Sequence, residues 1–153
     1  MGTDNEILLI DDDEADVELA LHALRENKLG NDIHVLRDGE EALDYLFGPG
    51  RQARAAFGQM PKLILLDLKL PKVDGIEVLR RLKTDALTKF IPVVILTSSN
   101  QERDMVRGYE LGVNSYIQKP IDFDQFRKIV TQVGLYWLMI NHPAPHGKDP
   151  VAV

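Results

Sequence analysis

Residues 63–75 read LILLDLKLPKVDG, and this stretch decides the fold. It opens with four consecutive apolar residues, Leu63–Leu66, which are followed directly by Asp67. An unbroken apolar run of this length predicts a β-strand that is buried on both faces, as in a parallel sheet. Asp74 can cap a helix that begins at the end of the stretch, and parallel strands need such a helical crossover. The stretch therefore predicts one strand–helix unit of a parallel sheet.

The same unit recurs along the chain. Further short apolar runs occupy residues 7–10, 33–36, 93–96 and 115–117, with amphipathic helical segments between them. Five strands that alternate with helices predict the α/β class, with a doubly wound five-stranded parallel sheet and helices on both faces. These units account for residues 6 to about 138.

The helices are predicted from apolar spacing and from capping residues. The first begins near Asp13 and ends before Gly30, a residue type that suits a left-handed C-cap. The fourth presents Met105, Val106 and Tyr109 as its predicted inner face.

Composition limits the classes of function. A chain of 153 residues with 44% hydrophobic residues fits one compact domain. Its formal net charge of −6 disfavours nucleic acid as a partner, and the absence of cysteine excludes a disulfide framework and thiolate chemistry. We find neither a signal peptide nor a membrane span in the sequence, so we expect a cytoplasmic protein without a membrane partner.

Two segments exceed the repeated units. Residues 48–61, GPGRQARAAFGQMP, predict an irregular insertion before the third strand, which is either a tolerated surface loop or a partner-contact loop. Residues 133–140, VGLYWLMI, predict an apolar and aromatic helix end. We therefore divide the chain into a domain at residues 1–140 and a tail at residues 141–153.

Polar residues follow the predicted strands at the edge where function gathers in an open parallel sheet. Asp11 and Asp12 follow the first strand, and Asp67 follows the third. Thr97 ends the fourth strand, and the fifth leads to Lys119. Each residue alone has an ordinary explanation, such as an N-cap, a strand end or a solvated loop lysine. Their joint placement at one edge predicts a functional site.

A cluster of carboxylates repels itself and calls for a cation. An oxygen-rich site without His or Cys suits Mg²⁺ as the cofactor, held by Asp11 and Asp12. With this charge offset, Asp67 is predicted to attack a phosphoryl donor and form an acyl phosphate. Lys119 would pair with the carboxylate or phosphate charge, and Thr97 would donate its hydroxyl to a phosphoryl oxygen.

Four runs resemble the receiver domains of two-component response regulators: ILLIDDDEAD at residues 7–16, LILLDLKLPKVDG at 63–75, VVILTSS at 93–99 and SYIQKP at 115–120. The resemblance implies a receiver, or flavodoxin-like, fold and a protein that catalyses only its own aspartyl phosphorylation and dephosphorylation, and so is not an enzyme in the usual sense. The resemblance implies that Asp11 and Asp12 are the metal-binding pair and that Asp67 is the phosphoacceptor and a further metal ligand. It implies that the backbone carbonyl of Lys69 completes the Mg²⁺ shell and that Lys119 stabilises the phosphoryl group. Thr97 would supply the switch hydroxyl, which also stabilises the phosphoryl group, and Tyr116 would be the switch aromatic.

A narrower resemblance is to the stand-alone response regulators paired with bacterial and cyanobacterial phytochromes. It rests on DLKLPKVDG, the insertion before the third strand, YELGVNSYIQKP and the Trp-bearing helix end. It implies a sensor histidine kinase as partner, with a phytochrome (bacteriophytochrome) kinase as the candidate, and a histidine phosphotransfer protein as a further one. We expect the signal to leave through protein contacts, because the sequence shows no DNA-binding or enzymatic output segment.

We expect phosphorylation to draw Thr97 inward and to shift Tyr116 from an exposed to an inward rotamer, which alters the face of the fourth helix, fifth strand and fifth helix. A second interaction element is the helix end, which we expect to support a homodimer or else to fold back on its own domain. Its large apolar residues are Tyr136, Trp137, Leu138, Met139 and Ile140.

Two other functions stay open. One is a phosphorylation-independent dimeric interaction module on the same fold. The other is a Mg²⁺-dependent phosphohydrolase of the haloacid dehalogenase type, which would carry a second Asp two residues after the nucleophile, where this chain has Lys69.

Overall fold

The protein folds around one parallel sheet. The computed structural model describes residues 7–29, 33–49, 51, 60–120 and 122–142. Within these ranges the strands are β1 (Ile7–Ile10), β2 (Ile33–Leu36), β3 (Leu63–Leu66), β4 (Val93–Thr97) and β5 (Ser115–Gln118). All neighbours pair in parallel, in the order β2-β1-β3-β4-β5. This confirms the predicted doubly wound α/β fold and places the reversal of strand order between β1 and β3.

Helices connect the strands and cover both faces. They are α1 (Glu14–Glu26), α2 (Gly39–Phe47), α3 (Gly75–Thr84), α4 (Glu102–Glu110) and α5 (Phe123–Gly134). Four of them start at an aspartate whose carboxylate accepts a backbone N–H of the first turn: Asp13, Asp38, Asp74 and Asp122. This capping explains why α1 and α3 start near Asp13 and Asp74, as the sequence predicts. In the ranges given above, the helices are too short or too polar to span the hydrocarbon core of a bilayer.

Alternating side chains of the central strands form two apolar layers. Along β3, Leu63 and Leu65 pack in the layer under α1 and α5, whereas Ile64 and Leu66 pack in the layer under α2 and α3. Every residue of β1, β3 and β4 is buried. The central strands are therefore rigid supports for whatever follows their carboxyl ends.

The predicted inner face of α4 is wrong. Met105, Val106 and Tyr109 are between 42% and 52% exposed. The helix instead approaches the sheet through Gly108, where an added Cβ would lie 3.1 Å from Cδ1 of Ile95. Because a glycine makes the contact with the sheet, the apolar residues on the other faces of α4 remain at the surface.

The end of α1 also differs in detail from the prediction. The helix ends at Glu26 and is capped by Asn27, so it does end before Gly30. The left-handed backbone conformation, however, belongs to Lys28, with φ of 59°. Gly30 itself lies outside the described residues.

Arg51 fixes one point of the insertion at residues 48–61. Its guanidinium donates two hydrogen bonds to Asp85 after α3, and it lies 5.1 Å from the ring centroid of Phe47. Residues 50 and 52–59 lie outside the described residues, so the choice between a surface loop and a partner-contact loop stays open.

The chain continues from α5 into a π-helical segment, Leu135–Ile140. Trp137 and Leu138 pack against the apolar layer of α1 and α5, so this part folds back on its own domain. The other large side chains of the segment are exposed: Leu135 (41%), Tyr136 (46%), Met139 (70%) and Ile140 (62%). The proposed boundary at residue 140 stays a prediction, and residues 143–153 lie outside the described ranges.

Gly75 permits the close contact between the start of α3 and the end of β3. A Cβ at this position would lie 2.5 Å from the carbonyl oxygen of Asp67 and 2.6 Å from Cα of Leu68. We expect Gly75→Ala to destabilise the protein by about 1–3 kcal/mol, because backbone atoms must shift to admit the methyl group. Urea denaturation measures the change.

Gly108→Ala is the matched control for this substitution. Its new methyl group would lie closest to the flexible end of Ile95, with Tyr116 and Val113 at ordinary contact distance, and it would clash with no backbone atom. Alanine is also the better helix former, so we expect no comparable loss of stability. Equal effects of the two substitutions would contradict the proposed backbone clash at Gly75.

Candidate functional site

Backbone pairing beyond the strands brings the predicted site residues together. The amide of Asp11 donates to the carbonyl of Leu36 (3.0 Å), and the amide of Asp67 donates to the carbonyl of Ile10 (2.9 Å). At the other side of the sheet, the amide of Lys119 donates to the carbonyl of Thr97 (2.7 Å). The hydrogen-bonding register thus carries all these residues to one edge, as the sequence predicts.

Asp67 lies at the centre of the site and is almost fully buried. Its Oδ1 accepts hydrogen bonds from Oγ1 of Thr97 (2.7 Å) and from the backbone amide of Lys69 (3.1 Å). Its Oδ2 accepts from Nζ of Lys119 (2.9 Å). Both oxygens are therefore held in fixed positions by donors on three different loops or strands.

Lys119 joins three acidic side chains. Its ammonium nitrogen lies 2.9 Å from Oδ2 of Asp11, 2.8 Å from Oδ2 of Asp16 and 2.9 Å from Oδ2 of Asp67. The sequence argument missed Asp16. Its position in the first turn of α1, five residues after Asp11 and at the same edge of the sheet, is the signal that could have identified it.

Burial and charge act against each other in this cluster. Burial raises the pKa of Asp11 to about 6, and the positive charge of Lys119 only partly offsets that effect. Burial would lower the pKa of Lys119, but the charges of Asp11 and Asp67 and the hydrogen bond with Asp16 outweigh it and raise that pKa. Lys119 is thus a permanent cation, and protons compete for Asp11 when the pH falls towards 6.

The acidic residues fit a small oxygen-seeking cation. Carboxylate oxygens of Asp11, Asp12 and Asp67 lie within 4.8 Å of one another. Opposite ligands of Mg²⁺ are separated by about 4 Å, so small side-chain rotations would suffice to bind it. Lys119 contributes one positive charge against these three carboxylates and that of Asp16, so a second cation would relieve the remaining repulsion. The carbonyl of Lys69 as a further ligand stays a prediction.

A chain of contacts leads from Asp67 to the predicted switch aromatic. Thr97 is fully buried, and its hydroxyl accepts a weak hydrogen bond from the amide of Ser99 (3.4 Å). The hydroxyl of Tyr116 donates to the carbonyl of Ser99 (3.3 Å), and Tyr116 is half-buried. The sequence argument gave Ser99 no role.

Ser99 also restrains the start of α4. Its hydroxyl donates to a carboxylate oxygen of Asp104 and accepts from the amide of Gln101. The exposed ammonium of Lys69 lies 3.9 Å from the same carboxylate of Asp104. The cation two residues after Asp67 therefore extends towards α4, while its backbone amide binds Asp67.

Comparison with known proteins agrees with this geometry. A family model described as the response regulator receiver domain matches residues 7–131. The probable methanogenesis regulatory protein FilR2 of Methanothrix harundinacea is 41% identical over 140 residues, which cover 91% of this chain and 88% of that protein.

Two solved structures are similar over nearly their whole length. One is the phosphorylated cyanobacterial phytochrome response regulator RcpA, with a TM-score of 0.83, 40% identity, and coverage of 92% of this chain and 99% of that chain. The other is the Mn²⁺-bound form of the response regulator Rcp1 of Synechocystis, with a TM-score of 0.80, 37% identity, and coverage of 90% and 97%.

Asp12 offers a clean test of the cation site, because its side chain is exposed and its loss removes a ligand without opening the core. We expect Asp12→Asn to weaken Mg²⁺ binding about tenfold or more, since a neutral amide replaces an anionic ligand. Calorimetric titration and the Mg²⁺-dependent rise in the thermal unfolding midpoint measure this change.

Glu18→Gln is the control for loss of one negative charge, because Glu18 is an exposed acid on α1 outside the carboxylate cluster. It should bind Mg²⁺ as the wild type does. Equal Mg²⁺ affinity of wild type and Asp12→Asn would show that Asp12 is not a ligand.

Proposed function

Because this chain belongs to the response regulator receiver family, we propose that it accepts a phosphoryl group on Asp67 from the phosphohistidine of a sensor histidine kinase. The observation that carries the proposal is the position of the Asp67 carboxylate, with Thr97 and Lys119 bound to it and Asp11 and Asp12 beside it. Phosphorylation would then change a protein-contact surface.

The transfer requires a carboxylate that is held in place and an environment that tolerates added negative charge. A carboxylate oxygen of Asp67 attacks phosphorus as the P–N bond to the donor histidine breaks, and the imidazole keeps the bonding electron pair. Lys119 pairs with the new phosphoryl charge, and Thr97 can turn its hydroxyl from Asp67 to a phosphoryl oxygen. Mg²⁺, when bound, would neutralise charge on the carboxylates and the phosphoryl oxygens.

Phosphorylation of Asp67 can alter the protein surface through Thr97 and Ser99. A shift of the Thr97 hydroxyl towards the phosphoryl oxygen would disturb its contact with the amide of Ser99, whose carbonyl binds Tyr116. Tyr116 packs against Gly108, so α4 and its exposed apolar residues would respond. The phosphoryl group must favour one arrangement by a few kcal/mol for this switch to be decisive.

A phytochrome-type histidine kinase, including a bacteriophytochrome, is our proposed upstream partner. Support comes from the similarity to RcpA and Rcp1 over nearly the whole of each chain. FilR2 is similarly close and carries a different regulatory name, so the choice of kinase needs a direct experiment. A histidine phosphotransfer protein remains a second candidate donor or acceptor.

The competing functions have weaker support. A phosphorylation-independent interaction module would not need the full set of Asp11, Asp67, Thr97 and Lys119 in mutual contact. A haloacid dehalogenase-type phosphohydrolase would need an acid two residues after Asp67, where Lys69 instead extends towards Asp104. We propose that the protein catalyses only its own phosphorylation and dephosphorylation.

Asp67→Asn tests the central proposal. With Mg²⁺ and acetyl phosphate, we expect the wild type to gain one phosphoryl group, visible by intact mass and phosphate-affinity gel, as acetate leaves. The variant should gain none, because an amide is too weak a nucleophile to replace the carboxylate. Chelation of Mg²⁺ should also abolish the gain of the phosphoryl group.

A second experiment tests the phytochrome pairing. An autophosphorylated phytochrome kinase should phosphorylate the wild type faster than an unrelated histidine kinase does.

The comparison requires that the Asp67→Asn protein is folded. If neither donor modifies the wild type although it folds and binds Mg²⁺, the phosphoacceptor proposal is wrong and the constitutive interaction module becomes the better explanation. Slow transfer from the phytochrome kinase alone would reject only the phytochrome pairing.

We propose that the exposed apolar side chains at the end of α5 support a homodimer. Of the residues predicted for this contact, Tyr136, Met139 and Ile140 are exposed, whereas Trp137 and Leu138 pack against their own domain. Large exposed apolar and aromatic side chains that are adjacent on one segment commonly mark a protein interface.

Replacement of both Met139 and Ile140 by Glu should convert the dimer to a monomer, because two charges would be buried in the contact. Sedimentation velocity measures the oligomeric state, and Met105→Glu, an exposed apolar residue on α4, is the matched control. A dimer that persists in the double variant but dissociates in Met105→Glu would place the interface on α4 instead.

A further inference from the structure

Asp16 is a close partner of Lys119 to which the proposed transfer gives no role. Its Oδ2 lies 2.8 Å from Nζ of Lys119, the shortest of the three contacts of that ammonium with carboxylates. An ammonium has three N–H bonds, and three carboxylate oxygens lie within hydrogen-bonding distance. Lys119 donates hydrogen bonds to Asp16 and Asp67 and also forms an ion pair with Asp11, so an incoming phosphoryl oxygen must compete with these carboxylates for the ammonium.

The fold holds Asp16 in this position. The backbone amide of Asp16 donates to Oδ1 of the N-cap residue Asp13 (3.0 Å), which anchors the first turn of α1 at this edge of the sheet. The Asp16 side chain is mostly buried, and so is that of Lys119. The contact is thus less screened by solvent than a surface ion pair, and it should influence the charge of the site.

The three partners of Lys119 differ in what else they do. Asp67 is the proposed phosphoacceptor, and Asp11 belongs with Asp12 and Asp67 to the candidate cation site. Asp16 is not in that group, so it is the partner whose interaction with Lys119 has no competing assignment. A carboxylate there neutralises part of the Lys119 charge and holds one of its N–H bonds.

We propose that Asp16 is a positioning residue that acts through Lys119 and limits how much of the Lys119 charge reaches the incoming phosphoryl group. This inference rests on the proposed phosphoryl transfer to Asp67. Asp16 keeps Lys119 at the site before phosphorylation, and it lowers the rate of phosphorylation because it competes with the anionic donor for the same ammonium.

Asp16→Asn keeps the shape of the side chain and removes its charge. At saturating Mg²⁺, we expect the rate constant for phosphorylation by acetyl phosphate to rise about three- to tenfold, because Lys119 attracts the anionic donor more strongly. Asp16→Glu should restore a rate close to that of the wild type. Glu18→Gln, which removes a charge from an exposed position of the same helix, should change the rate less than about twofold.

A double-mutant cycle with Lys119→Gln separates action through Lys119 from a general structural effect. If Asp16 acts through the ammonium, Asp16→Asn should no longer accelerate phosphorylation in the Lys119→Gln background. An acceleration of the same size in both backgrounds would overturn the inference. So would an unchanged rate in the single variant at saturating Mg²⁺.

The wild type, Asp16→Asn, Lys119→Gln and the double variant should also be compared by urea denaturation without a phosphodonor. This measurement is needed because phosphorylation of Lys119→Gln can be too slow to measure. In the Lys119→Gln background, Asp16→Asn only relieves repulsion between carboxylates, so it should raise the urea denaturation midpoint. With Lys119 present, the same substitution also removes an ion pair, so the rise in the midpoint should be smaller. Equal shifts would overturn the inference. If the wild type is phosphorylated but Asp16→Asn leaves the phosphorylation rate unchanged, this inference alone is rejected. If the wild type cannot be phosphorylated, the proposed function is rejected.

Discussion

The ammonium of Lys119, shared among the carboxylates of Asp11, Asp16 and Asp67, is the interaction on which the site depends. Carboxylates removed from water are costly unless they are paired, and here one cation serves three of them. The pairing is enough to keep Lys119 protonated, but burial still raises the pKa of Asp11 to about 6. The cluster thus holds an excess of negative charge, which is the physical reason that it suits a divalent cation and, with that cation, an anionic phosphoryl group.

The parallel sheet makes this arrangement possible because its register determines where each chain segment leaves the core. The amides of Asp11 and Asp67 continue the ladder of β1, β2 and β3 by one residue, and the amide of Lys119 does so beside β4. The apolar strands behind them are buried on both faces and resist displacement. Glycines complete the geometry where backbone segments approach closely, as Gly75 does beside Asp67. A rigid base with short polar loops is well suited to a reaction that depends on position and charge more than on side-chain motion.

The side of the molecule around α4 and β5 has the opposite character. The helix α4 contacts the sheet through Gly108 and leaves Met105, Val106 and Tyr109 at the surface. Its start is restrained by the contact between Ser99 and Asp104, and Tyr116 binds the carbonyl of Ser99. Thr97, Ser99 and Tyr116 thus form a path of contacts from the site to this surface. A rigid site beside a helix with exposed apolar side chains is consistent with the phosphorylation-dependent switch proposed above.

Sequence alone determined the elements that depend on local pattern and chemistry. Apolar runs identified the five strands, and capping aspartates identified the helix starts near Asp13 and Asp74. The polar residues after the strands identified Asp11, Asp12, Asp67, Thr97 and Lys119, because the parallel fold brings strand ends to one edge. Tertiary structure decided which face of α4 is exposed. Gly108 contacts the sheet, and a pattern of apolar side chains cannot reveal a contact made by a residue that has no side chain. It also divided the helix end between Trp137, which packs on its own domain, and Met139, which does not. The first turn of α1 places Asp16 at the functional edge, but its contact with Lys119 joins residues 103 positions apart, so only the packing of whole elements shows which side chain it meets.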